Sequence, residues 1–313
     1  MTLKLVVRRS TEIAEGIREI ALARPDDGPL PAHPPGSHVV VDCGPQRNAY
    51  SLTNCGIDPH EYTVAVLRRP AAEGAGGGSE QMHRFRPGDR VVVSSPRSAF
   101  APVSTARRHL LIAGGIGITP MLSHARHAVR WGTDVRLLYV HRAGAGAYAG
   151  ELAELLGERA QLAYRKGEFD VLLRQALVSQ PMGTHLYVCG PPALMDEVLD
   201  QAAAAGWPPQ RLHMERFTPA ELDPGQPFTA RLARSGLHVS VPAGATLLDA
   251  LERAGVMVPR MCRQGVCGEC RVPVLAGRPL HRDEYLSDDE RAAGDSVMCC
   301  VSRSETETLE VDL

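Results

Sequence analysis

No apolar run in this chain approaches the roughly 20 residues that a helix needs to cross a bilayer. The first residues, Met1-Thr-Leu-Lys-Leu-Val-Val-Arg-Arg, contain neither the apolar h-region nor the cleavage site of a secretion signal. A cytoplasmic protein without membrane association is therefore expected. An excess of one charge is missing as well. The formal net charge is -2 over 313 residues, without the basic footprint of a nucleic-acid binder. Aromatic residues are scarce at 4%, beside abundant Ala, Arg, Gly and Pro, a bias that reads as genomic rather than functional. The 12 histidines form no His-Glu-x-x-His pair and no nucleophile triad stands out, so there is no candidate for zincin or triad chemistry.

Cysteine is what the chain does have. Eight cysteines without an export signal suit a reducing compartment, where thiols stay available for metal. Cys262-Arg-Gln-Gly-Val-Cys267-Gly-Glu-Cys270 reads C-x4-C-x2-C, with Cys299-Cys300 further along. That is the plant-type spacing for a [2Fe–2S] cluster. Each iron completes a tetrahedron from two bridging sulfides and two thiolates, so four cysteines are needed, and three fall in one short loop. Gly265 and Gly268 lie in that loop, where positive φ lets backbone N–H groups turn toward sulfur. The alternatives are a zinc site, which favours paired C-x2-C knuckles, and a disulfide staple, which suits a secreted domain. Cys43, Cys55, Cys189 and one of the Cys299/Cys300 pair fall outside the pattern.

The first hundred residues alternate as strands do. Leu3-Lys-Leu-Val-Val, Ser37-His-Val-Val-Val, Glu61-Tyr-Thr-Val-Ala-Val-Leu and Asp89-Arg-Val-Val-Val-Ser are β-branched runs separated by Gly and Pro, which favours a small antiparallel barrel or sandwich. After Pro102 the pattern changes. His109-Leu-Leu-Ile-Ala reads as a buried parallel strand entering Gly114-Gly115-Ile-Gly117-Ile-Thr119-Pro120, then a helix over 121–131 with Pro120 at its first position. A strand at 134–140, helices at 151–156, 170–179 and 193–205, and a strand at 185–189 extend the alternation to an α/β doubly wound parallel sheet. Residues 217–227 are Pro-, Asp- and Gly-rich and read as a linker. Strand, strand and helix then precede the cysteine loop, an α+β arrangement. Three domains follow: 1–103, 104–226 and 227–313.

Two further sites stand out. A strand–turn–helix junction at Gly114 to Pro120 exposes N–H groups and the positive end of a helix dipole, a seat for a pyrophosphate, although it departs from G-x-G-x-x-G. Cys189-Gly190-Pro191-Pro192 ends another strand of the same inferred sheet, so both turns could face one ligand. Cys189 alone is more often a small buried hydrophobe than a reactive thiol. Arg47-Asn48-Ala49-Tyr50-Ser51-Leu52 combines a cation, an aromatic plate and a hydroxyl that could cover and bond a flavin. An outward tyrosine on a strand is the commoner explanation. Gly76-Gly77-Gly78-Ser79 is either a phosphate-contacting loop or a plain hairpin.

In this order, over the whole chain, these motifs resemble the phthalate dioxygenase reductase family. Asn48-Ala-Tyr-Ser-Leu, Leu212-His-Met-Glu-Arg-Phe217 and His281-Arg-Asp are similar to the carnitine monooxygenase reductase branch. The resemblance implies an FMN-binding β-barrel, an NAD(P)-binding α/β domain and a β-grasp ferredoxin domain. It implies that Arg47, Asn48, Ala49, Tyr50, Ser51, Val64, Ala65 and Val66 surround FMN, with Gly77, Gly78 and Ser79 near its phosphate. Thr119 and Phe217 then lie near the isoalloxazine. Gly114, Gly115, Gly117, Gly190 and Pro191 hold the nicotinamide nucleotide, and Cys189 and Thr119 border the reacting atoms. The cluster ligands are Cys262, Cys267, Cys270 and Cys300, the last chosen by the family's gap and by the alternation of a strand expected over 297–301. In two places the chain departs from relatives. Arg47 lies one residue earlier than the arginine of Arg-x-Tyr-Ser, and His141-Arg142-Ala143 lacks an acid after the arginine, which loosens the preference for NADH. The implied route runs from NADH through FMN and [2Fe–2S] to a Rieske-type oxygenase, or alternatively a cytochrome P450. A monomer is expected. A redox sensor would need neither nucleotide nor flavin turns.

Overall fold

The computed structural model describes residues 2–44, 47–69, 77–98, 100–217, 223–260, 263, 265, 268–283 and 285–313. The chain forms two compact units, Met1–Phe217 and Thr218–Leu313.

The first unit opens with β1 (Thr2–Ala14), β2 (Ile17–Ala23), β3 (Ser37–Asp42), β4 (Arg47–Ser51), β5 (Glu61–Leu67), α1 (Gly78–Arg84), β6 (Arg90–Ser94) and β7 (Arg97–Ser98). They form an antiparallel sheet in the order β4-β3-β6-β1-β2-β5, with β7 added on β3. A bridge from Leu52 to Val64 joins its two edges and closes a barrel. Alternate residues point inward, and Leu5, Val39, Val41, Leu52, Val64 and Val93 fill the interior.

Then follow β8 (Arg108–Gly114), α2 (Ile118–Trp131), β9 (Val135–Val140), α3 (Ala149–Leu156), β10 (Ala160–Ala163), α4 (Lys166–Val178), β11 (Thr184–Cys189), α5 (Pro192–Ala204) and β12 (Leu212–Glu215). All five strands are parallel in the order β10-β9-β8-β11-β12. Helices cover both faces, so β8 is apolar on each: Leu111 and Ala113 pack on one side, Leu110 and Ile112 on the other. The expected α/β sheet is present, with two edge strands, β10 and β12, that sequence patterning did not show. Helix α2 begins at Ile118, after a 3-10 turn over Gly115–Gly117. Pro120 is thus its third residue rather than its first, still within the turn whose N–H groups lack an intrahelical acceptor. The helix ends at Gly132, whose φ of 67° gives the left-handed cap that glycine takes without strain.

Barrel and sheet are joined through polar contacts. The Ser123 hydroxyl donates to Asn54 O at 3.1 Å, Arg126 Nη1 to Thr53 O at 2.9 Å, and Tyr148 OH to Glu19 Oε2 at 2.8 Å. His124 sits among them, 2% exposed, with Nε2 bonding Phe100 O at 2.8 Å. Burial holds its imidazole down to about 3, and burial followed by the Arg97 charge holds His38 down to about 4. Both pKa values are depressed by folding, so below the unfolded value near 6.5 only the unfolded chain gains these protons. Stability is full above that pH and falls from about 6.5 toward 4, by roughly 1.4 kcal/mol per pH unit for each histidine. Urea midpoints recorded at pH 7 and pH 5 are expected to drop accordingly, and His124→Gln is expected to flatten the slope. An unchanged midpoint would contradict neutral burial of both rings.

The second unit comprises β13 (Phe228–Leu232), β14 (His238–Val241), α6 (Leu247–Arg253), β15 (Arg271–Ala276), β16 (Pro279–Leu280), α7 (Asp288–Ala293), β17 (Ser296–Met298), β18 (Arg303–Ser304) and β19 (Thr308–Val311). Its mixed sheet runs β14-β13-β19-β15-β17, with β16 and β18 paired separately. The core packs Leu247, Leu248 and Leu251 of α6 against Val272, Val297 and Leu309 of the sheet. This is the α+β, β-grasp arrangement. Thr246 caps α6 by accepting from Asp249 N at 3.0 Å, and Ser287 with Glu290 forms a capping box on α7. Among the described residues no helix is long and apolar enough to cross a membrane.

Candidate functional site

The sheet order reverses direction between β8 and β11, the switch point at which ligands bind in open α/β sheets. Both glycine turns lie there and touch. A Cβ on Gly190 would stand 3.0 Å from Gly114 N, and one on Gly117 only 2.2 Å from Cys189 O. Nothing larger than glycine fits at Gly117, and at Gly190 a Cβ would have to push the Gly114 backbone aside. The N-termini of α2 and α5, with Pro191 at the N-cap of the latter, therefore converge on one crevice, and both dipoles favour an anion in it. Gly115 carries a φ of 53° in the same turn.

Cys189 is fully buried, and its thiol is pushed well up, first by burial and then by the Glu215 charge. A thiol raised in this way stays protonated at neutral pH. Thr119 is buried and donates to Ile116 O at 3.1 Å, which fixes the 3-10 turn. Ala65 and Cys189 belong to one buried cluster, against which Ile116 and Phe217 pack. Four segments thus contribute to one cluster. Val64 and Val66 do not join them: alternation turns their side chains into the barrel core, leaving only Ala65 facing this way.

On β4, Asn48, Ala49 and Tyr50 are half-buried and Ser51 is buried. Asn48 Nδ2 donates to Tyr50 OH at 3.4 Å. Burial, then the neighbouring Cys43, pushes the Tyr50 phenol up. A Cβ on Gly78 would lie 2.0 Å from Asn48 Nδ2, so the Gly77–Ser79 segment packs directly on this strand. The Ser79 hydroxyl is engaged by the Arg69 backbone, N and O both at 3.1 Å. Arg47 is exposed, 4.0 Å from Asp42. An amide, a phenol and a hydroxyl beside a glycine segment fit a flavin and its phosphate. Sequence reasoning missed Glu215. Its Oε2 accepts from the Ser51 hydroxyl at 3.1 Å, tying the flavin strand to the end of β12. Glu215→Ala is expected to slow flavin reduction by about tenfold, the value of one charge-assisted hydrogen bond at ~1.5 kcal/mol, whereas Glu215→Gln retains much of the rate. Rapid mixing with NADH measures both, and equal rates in all three proteins would remove Glu215 from the site.

Of the four cysteines expected to hold the cluster, Cys262 and Cys267 lie outside the described residues. Cys270 and Cys300 are buried, 3% and 4% exposed. The cysteine loop has positive φ at Arg263 (55°), Gly265 (75°) and Gly268 (76°). A Cβ on Gly265 would meet Val301 Cγ2 at 2.6 Å and Asp283 Cα at 3.0 Å, and one on Gly268 would enter the Tyr285 ring at 2.3 Å. Arg263 holds the loop to α6 through Asp249 at 3.0 Å and Glu252 at 2.6 Å. Asp283, also missed, accepts from Leu286 N at 2.9 Å and from the Ser302 hydroxyl at 3.0 Å, which links the loop to the turn after Cys300. The strand expected over 297–301 stops at Met298. Residues 299–301 form a turn instead, with Val301 N and Ser302 N both reaching Met298 O, and with Cys299 O accepting from Leu248 N. Both Cys299 and Cys300 are therefore buried, and alternation does not separate them. Burial, then Cys270, pushes the Cys299 thiol up. The positive-φ positions of the loop and the buried Cys270 and Cys300 fit a cluster. Among the described residues no three His, Cys, Asp or Glu side chains form a separate metal site.

Residues 92–212 match the model for the N-terminal domain of dimethylamine monooxygenase subunit DmmA-like proteins, and residues 230–305 match the 2Fe-2S iron-sulfur cluster binding domain. A carnitine monooxygenase reductase subunit from Acinetobacter baumannii is 36% identical over 98% of this chain and 97% of its own length. The crystal structure of phthalate dioxygenase reductase matches with a TM-score of 0.73 and 34% identity, over 100% of this chain and 98% of that one. The chain belongs to the phthalate dioxygenase reductase family. A heme-dependent oxidative N-demethylase beta subunit from Ectopseudomonas mendocina is also similar, 43% identical over 91% of this chain and 90% of its own. This reductase is an NAD(P)H-dependent FMN and iron–sulfur oxidoreductase, the electron-transfer component of an oxygenase system. NADH, FMN and a [2Fe–2S] cluster are its cofactors.

Proposed function

We propose that this reductase serves a Rieske-type terminal oxygenase, as a cytoplasmic monomer with domains at 1–103, 104–226 and 227–313. The observation that carries this reading is similarity along the full chain to phthalate dioxygenase reductase, with flavin strand, glycine turns and cysteine loop in one order. When bound, FMN turns a hydride into single electrons and the cluster carries them one at a time. The side chains bind and orient. Tyr50 covers the flavin, while Ser51, steered by Glu215, bonds it. Gly77, Gly78 and Ser79 offer main-chain N–H groups to the phosphate. Gly114, Gly115, Gly117, Gly190 and Pro191 admit the pyrophosphate. Thr119, Cys189, Ala65 and Phe217 exclude water from the place where hydride passes. Cys262, Cys267, Cys270 and Cys300 hold the cluster, and no acid or base needs to move a proton.

A haem-containing acceptor is the second reading, favoured by the similarity to the heme-dependent demethylase subunit. Presenting the NADH-reduced protein anaerobically to a purified oxygenase of each kind decides between them. Rapid oxidation by the Rieske protein alone supports the first reading, and rapid oxidation by the haem protein alone supports the second.

A further inference from the structure

The His281-Arg282-Asp283 run places a buried carboxylate against the cysteine loop. Asp283 is 3% exposed, and its side chain 0%. A charge is costly to bury unless hydrogen bonds replace its water, and here they do. Oδ2 accepts from Leu286 N at 2.9 Å and from Tyr285 N at 3.3 Å, while Oδ1 accepts from the Ser302 hydroxyl at 3.0 Å. Every one of these partners is a donor, which is the bonding of an ionised carboxylate. Among the described residues no arginine or lysine pairs with it, and the Arg291 guanidinium bonds the Asp283 main-chain O instead. His281 Nδ1 stands 3.7 Å from Oδ1, and neither of that ring's buried nitrogens has a hydrogen-bond partner among the described residues. The carboxylate is thus held by neutral donors, and no guanidinium or ammonium cancels its charge.

The approach to the loop is close. A Cβ on Gly265 would lie 3.0 Å from Asp283 Cα and 3.2 Å from its Cβ, so the loop rests directly on this residue. Tyr285, whose N–H bonds the same carboxylate, lays its ring on Gly268. Ser302 follows Cys300 by two positions. One residue therefore backs Gly265, steadies the tyrosine that covers Gly268, and bonds the turn after Cys300. A [2Fe–2S] centre takes up one electron and gains one unit of negative charge, with no atom transferred. A fixed negative charge beside it stabilises the oxidised form and lowers the potential. Net charge and hydrogen bonding are levers that a protein exerts on such centres.

We propose that Asp283 is a positioning residue whose buried charge also holds the cluster at low potential, keeping it a strong one-electron donor to the acceptor protein. The inference rests on the cysteine loop holding the cluster. Redox titration of the holoenzyme, read by EPR beside iron and sulfide assays, tests it. Asp283→Asn removes the charge and keeps the shape. Its amide oxygen accepts from the two N–H groups, and its NH2 donates to the Ser302 hydroxyl, which already accepts from Arg282 N at 3.1 Å. Iron content and g values are expected to stay, while the ratio of reduced to oxidised cluster at a fixed potential rises about tenfold. That ratio is an upward shift of about 59 mV for one electron. Ser302→Ala strips one donor from the carboxylate but keeps its charge, and is expected to lower the same ratio about threefold. A merely structural brace would not move the midpoint in opposite directions in the two variants. An unchanged or lowered midpoint in Asp283→Asn, or loss of the cluster from its folded chain, would overturn the proposal. Should Asp283→Asn not fold, Ser302→Ala decides alone: a lowered midpoint supports the proposal, and an unchanged or raised one overturns it. Native protein that holds no iron would overturn the assignment of the loop, and this inference with it.

Discussion

Cys300→Ser is expected to lose the iron–sulfur chromophore, or to shift its EPR signal toward mixed oxygen–sulfur ligation, while Cys299→Ser keeps iron and spectrum. Residues 271–299 separate Cys270 from Cys300, the gap that the family resemblance implies. The structure adds a reason for the difference. Cys299 is fastened on both sides of its backbone, N to Cys270 O at 3.2 Å and O to Leu248 N at 2.9 Å, and is 0% exposed in the α6 core. Val301, just past Cys300, instead rests on Gly265 of the cysteine loop. Serine is slightly smaller than cysteine, so Cys299→Ser costs about 1 kcal/mol of packing and polar burial rather than a ligand. Iron and labile sulfide assays with EPR read the outcome. Retention of the cluster in Cys300→Ser together with its loss in Cys299→Ser would reassign the fourth ligand. Retention in both would exclude the pair.

A truncation ending at Phe217 is expected to keep NADH-driven ferricyanide reduction and to lose nearly all cytochrome c reduction. The basis is that the first compact unit ends at Phe217 and contains both the barrel and the whole parallel sheet with their own cores. The four cysteines proposed to hold the cluster all lie beyond it. Flavin content and both rates, measured on the same preparation, check this. A folded truncation whose flavin NADH no longer reduces would mean that hydride entry needs the second unit.

Much of this architecture was legible in the sequence because burial writes itself into composition. Strand β8 is buried on two faces and reads as an unbroken apolar run, and its glycine turn is glycine because a Cβ on Gly117 would overlap Cys189 O. The edge strands were not legible. Every residue of β12 is half-buried, so no alternation marks it, and β10 is four residues with an exposed Gln161. The strand at β17 was drawn too long because Val297 to Val301 is apolar throughout, and a buried turn without Gly or Pro looks the same as a strand. Helix α7 carries a legible Ser287-x-x-Glu290 capping signal. Glu215 could not have been found this way. Its partner Ser51 is 164 positions distant, and a hydrogen bond across that separation leaves no local pattern. Val64 and Val66 were placed at the flavin with Ala65, although strand periodicity allows only alternate residues to share a face.

Anaerobic rapid mixing of the full-length protein with NADH, followed by optical and freeze-quench EPR detection, tests the order of electron flow most directly. Flavin bleaching is expected first, with the reduced-cluster signal growing only afterwards and absent from protein stripped of FMN. A cluster reduced ahead of the flavin, or at an undiminished rate without it, would contradict the route from nicotinamide through flavin to iron–sulfur centre.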